Sequence, residues 1–168
     1  KRQLLWAMIY QLKKEITEIL SSDKNNLSIT FVGSSKYKDI KEISDIDIVV
    51  ICKNLTKKYY QTQINNLKNI DEKIYKKEFE KLYINNSFGP LKYNSKGTLV
   101  LHIMIYDIKS HKQHVIESPF TCLDWLLYKS SYGPNLKELY PVLNLQIHDF
   151  KLALSLIHIS EPTRQFRI

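Results

Sequence analysis

Along residues 4–20, Leu5, Met8, Ile9, Leu12, Ile16, Ile19 and Leu20 recur at three- and four-residue steps, while Lys13, Lys14, Glu15 and Glu18 fall between them. Residues so spaced share one side of a 3.6-residue turn, which predicts an amphipathic helix. The polar stretch 23–26 interrupts it. Residues 27–32 then alternate or run apolar and stop at Gly33, as a strand entering a glycine turn should. Residues 46–52 are apolar almost throughout and rich in β-branched side chains, which suits a central strand covered on both faces.

Further along, Tyr60, Ile64, Leu67, Ile70, Ile74 and Phe79 recur at roughly helical intervals through the polar segment 57–83, predicting one or two helices. Residues 85–97 carry Asn-Asn, Gly-Pro and Asn-Ser-Lys-Gly turn signals and predict a loop. In 98–108, Leu99, Leu101, Ile103 and Ile105 occupy one face of a strand and Val100, His102, Met104 and Tyr106 the other. Thr121 reads as the cap of a helix through Leu123, Trp125, Leu126 and Leu127, closed by Tyr132-Gly133-Pro134, and a last helix is expected near Asn144. The pattern predicts an α/β (α+β) domain. Strands at 27–33, 46–52 and 98–107 share one mixed sheet, with the helix at 4–20 on a face.

Composition narrows the class. Hydrophobic residues at 43% and aromatics at 11% of 168 residues can fill a single-domain core, which excludes a disordered or collagen-like chain. The formal charge of +8 favours anionic partners such as nucleotides or nucleic acid. Most of that charge is Lys, however, at positions such as Lys57, Lys58, Lys76 and Lys77, and reads first as solvated helix faces. Cys52 and Cys122 stand in no metal-like or CxxC spacing, so no disulfide framework is expected. No apolar run reaches the ~20 residues of a membrane span and no signal peptide opens the chain, so the expected compartment is the cytoplasm and no membrane partner is expected.

Chemistry concentrates in two linked elements: Val32-Gly33-Ser34-Ser35 after the first strand, and Ser44-Asp45-Ile46-Asp47-Ile48-Val49 opening the next. Strand alternation puts Asp45 and Asp47 on one face, about 6.6–7 Å apart along the strand, so that both carboxylates can address one divalent ion. Two acids among Ile46, Ile48, Val49 and Val50 would be expensive to bury unpaired, which favours a metal or strong partners over a solvated turn. Gly33 permits a tight turn and a close ligand, and Ser34, Ser35 and the amides that follow can bind phosphate oxygens. Lys36, Lys38 and Lys41 lie between the halves and, if not simply solvated, would steer a triphosphate.

These residues resemble the signature of the nucleotidyltransferase superfamily, in its minimal DNA polymerase beta-like form: an apolar residue, Gly, Gly or Ser, a spacer, then Asp, apolar, Asp or Glu, apolar. The resemblance covers residues 27–52 closely and the rest by element order. It implies that Gly33, Ser34 and Ser35 bind a nucleoside triphosphate and that Asp45 and Asp47 are the catalytic, metal-binding carboxylates for Mg2+ or Mn2+. The implied reaction transfers a nucleoside monophosphate to a hydroxyl of a small molecule, a protein or a nucleic acid end. The superfamily places a third carboxylate on a later strand; here the matching segment is Leu101-His102-Ile103, and Asp107 lies further on and on the opposite face. His102 and Asp107 are therefore the candidates for the third position. A neutral imidazole does not supply the charge a hard ion prefers. The alternative is thus a catalytically weakened domain that binds nucleotide or a partner; a nucleic-acid-binding module rests on charge alone. His111 and His114 follow the third strand, and Trp125 is expected in the core.

Residues 154–164 resemble, codon for codon, the translation of a transposon-based sequencing adapter. The resemblance implies a nucleotidyltransferase-like domain at 1–153, belonging to a truncated gene fragment that starts without Met, and a non-native tail at 154–168. His158 and Glu161 are accordingly expected to carry no function.

Overall fold

The computed structural model describes residues 2–33, 45–85, 97–118, 122, 124–140, 147, 148 and 151. The expected helix near Asn144 and the expected tail fall almost wholly outside these residues. The element order is α1 (Arg2–Ser21), β1 (Asn26–Val32), β2 (Asp45–Cys52), α2 (Lys57–Leu67), α3 (Glu72–Tyr75), β3 (Lys81–Asn85), β4 (Thr98–Asp107) and α4 (Ile108–Glu117). A 3-10 turn (Asp124–Leu127) and the short α5 (Leu136–Leu139) follow.

Four strands form one mixed sheet in the order β1-β2-β4-β3. β1 runs antiparallel to β2, whereas β2, β4 and β3 are mutually parallel. The mixed sheet, the three long strands and the helix on its face are as the hydrophobic pattern predicts.

Four elements differ from the sequence expectation: Asp124–Leu127, expected within a helix that closes at 132–134, is a single 3-10 turn, α5 is not marked by the hydrophobic pattern, and neither β3 nor α4 is. The stretch expected to be helical up to residue 83 ends in β3, and its Asn85 was expected in a loop. β3 is a short edge strand whose side chains alternate between exposed and partly or fully buried, and five residues of period-two pattern are easily absorbed into a longer helical one. α4, unforeseen, is set by Asp107. Its side chain accepts a hydrogen bond from the Ser110 backbone N–H at 2.7 Å, and the Ser110 hydroxyl answers from the Asp107 N–H in a reciprocal cap.

The sheet is apolar on both sides, but differently. On one face, Met8, Ile9, Leu12, Ile16 and Leu20 of α1 pack on Ile29, Phe31, Ile46, Ile48, Val50, Leu99, Leu101, Ile103 and Ile105, with α2 and α3 beside them. The buried Asn26 ties this layer to the sheet: its side-chain amide donates to the Leu20 carbonyl, and its side-chain oxygen accepts from the Tyr59 hydroxyl. On the other face, Val49, Ile51 and Tyr106 are covered by Val115, Cys122, Trp125, Tyr128 and Leu136. Among the described residues this cover extends over only part of the sheet, and Asp45 and Asp47, which share that face with Val49 and Ile51, are partly exposed.

Candidate functional site

Register fixes what meets at the partly exposed end of this face. Val32 pairs with Asp47, Asp47 with His102, and His102 with Asn85, so a single transverse row carries all of them on one face. One row out, Asp45 pairs with Val100 and Val100 with Tyr83. The strand that sequence reasoning missed thus brings Asn85, buried to 2% exposure, beside His102.

The Asp47 carboxylate is held from two sides. Its Oδ1 lies 3.2 Å from His102 Nδ1, with side-chain exposures of 24% and 15% for the Asp and His. An ionised carboxylate only accepts, so the Nδ1 tautomer that donates is the one that makes this bond. Its Oδ2 sits against Gly33, so closely that a Cβ built on Gly33 would collide with it. Gly33 has φ +81°, a left-handed conformation that glycine adopts without strain. Glycine is therefore required twice, by the turn and by the carboxylate that occupies the space of a side chain.

Asp107 is not part of this group. It stands at the far end of β4, in register with Cys52, and is engaged in capping α4. Hydrogen bonds from the Ser110 backbone and hydroxyl hold its carboxyl below the usual range. Ser34 and Ser35, with Lys36, Lys38 and Lys41, lie outside the described residues. His111, His114 and Trp125 form an aromatic packing layer with Tyr106: the His111 and Trp125 rings stack at 6.1 Å and those of Tyr106 and His114 at 5.2 Å. Burial lowers the pKa of both histidines and pushes the Cys122 thiol up to about 12, which suits a core and not a reactive centre.

The donor set suits a hard divalent ion. Asp45 and Asp47 share one face of β2, and the Asp47 carboxylate lies directly against Gly33. Among the described residues, no three His, Cys, Asp or Glu side chains gather into a metal cage. An ion here would complete its shell from a bound ligand and water, the usual arrangement for magnesium.

Sequence reasoning also missed Tyr128, whose hydroxyl donates to the Gly33 carbonyl oxygen at 2.7 Å across a separation of 95 residues. No local signal could have pointed to it.

A family model described as nucleotidyltransferase domain matches residues 13–114, from the middle of α1 into α4. No curated protein matches the sequence. Among solved structures, a spectinomycin adenyltransferase from Enterococcus faecialis, crystallised with ATP and spectinomycin, matches with a TM-score of 0.46 and 18% identity. The match covers 88% of this chain and 63% of that one, so the chain spans less than two thirds of that enzyme's length.

Proposed function

We infer the reaction from the premise that this chain belongs to the nucleotidyltransferase domain family, whose model matches it from residue 13 to 114. The chemistry common to that family is nucleotidyl transfer. In this chain the reading is that a nucleoside monophosphate passes from a nucleoside triphosphate to a hydroxyl of an acceptor, with pyrophosphate leaving. The observation that carries it is the convergence of Asp47, Gly33 and His102, with Asp45 one row out on the same face and both carboxylates partly exposed.

Asp45 and Asp47 are the residues that would hold a divalent ion, magnesium or manganese. Such an ion, when bound, neutralises charge on the transferring phosphoryl group and favours ionisation of the attacking hydroxyl. Gly33 admits the triphosphate to the backbone, and Ser34 and Ser35 are assigned to its phosphates. His102, through Nδ1, orients the Asp47 carboxylate, so that it arrives at the site in one rotamer without reorganisation.

One observation favours a second reading, a domain that binds nucleotide but transfers poorly. The residue in register beside Asp47 is a histidine, which adds no negative charge where the superfamily resemblance implies a third acid. Incubation with α-labelled nucleoside triphosphates, magnesium or manganese, and a panel of hydroxylated acceptors separates the two. Transfer is expected to depend on the acceptor and to vanish in Asp47→Asn. Nucleotide binding without transfer, followed by a gain of transfer in His102→Asp, would favour the second reading. Transfer that survives in the Asp45→Asn/Asp47→Asn double variant would refute the first.

A further inference from the structure

Gly33 poses a physical problem that Tyr128 resolves. A glycine is needed there because Asp47 occupies the position of its Cβ, yet glycine is the residue whose backbone is least restrained. A turn that must present a fixed surface to a ligand needs another restraint on that peptide. Tyr128 supplies one, since its hydroxyl donates to the Gly33 carbonyl at 2.7 Å and so limits rotation of the peptide plane by which the chain leaves the glycine.

Tyr128 is itself firmly placed. Its side chain is 8% exposed and packs in the cluster that includes Val32, Val49 and Trp125. The segment that carries it is stitched along β1. The Ile29 N–H donates to the Tyr132 carbonyl at 3.0 Å, and the Ser131 N–H donates to the Ile29 carbonyl at 2.8 Å. At Gly133, φ is +70° and a Cβ would strike the Leu27 carbonyl, so the two backbones lie in close contact. The hydroxyl is therefore delivered by a braced strut on the outer edge of β1, from beyond the part of the chain that the family model covers.

We propose that Tyr128 is a positioning residue for nucleotide binding, holding the Gly33 turn in the conformation that accepts the triphosphate. The proposal rests on the reading of Gly33 as part of the nucleotide site. Restraint of a flexible peptide before binding lowers the ordering cost of the complex, so removing the hydroxyl weakens affinity without removing any ligand contact.

The test compares wild type with Tyr128→Phe, Ser130→Ala and Asp47→Asn in the full chain, using ATP with magnesium as the probe. Tyr128→Phe keeps the ring in the core and removes the hydroxyl that bonds the Gly33 carbonyl. Ser130→Ala removes a hydroxyl that bonds the Gly33-remote carbonyl of Gly133 within the same segment. Calorimetric titration is expected to show the ATP dissociation constant raised roughly 3- to 10-fold in Tyr128→Phe, the weight of one hydrogen bond, and unchanged in Ser130→Ala. The carbonyl 13C resonance of Gly33 should move in Tyr128→Phe alone, a signature that general loosening of the segment would not produce. If Asp47→Asn loses ATP while Tyr128→Phe binds it like wild type, the site reading stands and the role of Tyr128 is refuted. If Asp47→Asn binds ATP like wild type, the site reading fails and the proposal with it.

Discussion

On one face of the sheet, Ile46, Ile48, Val50 and Cys52 of β2 are fully buried beneath α1, α2 and α3. On the other face the same strand opens with Asp45 and Asp47 and turns apolar only at Val49 and Ile51, where α4 and the segment after it begin to cover it. One strand thus serves two layers with opposite demands. The covered face can use every position for packing, because nothing must reach it. On the second face, among the described residues, the apolar cover does not extend to the two carboxylates, which are partly exposed. Stability and binding should therefore respond to different residues of the same strand and its neighbours.

The largest expected effect lies on the covered face. Leu12→Ala opens a cavity under the sheet at a side chain with 0% exposure, and should destabilise the fold by about 2–5 kcal/mol in urea denaturation. ATP affinity of the folded fraction should be unchanged. A matching loss of affinity would mean that the two faces are coupled.

Next in size is Gly33→Ala, which breaks the other face. The left-handed φ costs an L-residue about 1–2 kcal/mol, and the new methyl group must also displace the Asp47 carboxylate. Modest destabilisation with loss of magnesium-dependent ATP binding is expected. Retained affinity would show that the Asp47 position against Gly33 is not needed.

The smallest effect sharpens the boundary between the covered and open parts of the second face. His111 is buried to 1% exposure, with Tyr106, His114 and Trp125 around it, and desolvation lowers its pKa from the usual 6.5; His114 is lowered for the same reason. The unfolded chain then takes up these protons first. Stability is complete above the unfolded value and falls as pH drops below about 6.5. Unfolding at pH 7.5 and 5.5 should show this loss, and His111→Phe should reduce it. A variant with undiminished acid sensitivity would remove His111 from the account.

The long elements were legible in the sequence because their patterns were long. α1 repeats its apolar positions through about four turns, and β4 alternates along its full length. β3 and α4 conceal their signals. β3 has only Leu82 and Ile84 to mark an alternation. α4 buries His111 and Val115, four apart, so half of its core stripe is a histidine that reads as polar. In the candidate site, the placement of Asp45 and Asp47 on one face could be read because the motif is local. The choice between His102 and Asp107 needed the register of β2 against β4, and the Tyr128 contact needed the whole fold.

The central claim is that Asp47, and not the capping Asp107, binds nucleotide through a divalent ion. Calorimetric titration of ATP and magnesium into wild type, Asp47→Asn and Asp107→Asn tests it directly. Asn caps a helix about as well as Asp, so Asp107→Asn should bind like wild type. Asp47→Asn should weaken magnesium-dependent binding on the order of tenfold or more, the weight of one charged ligand. Equal binding by wild type and Asp47→Asn would contradict the account and leave only the fold.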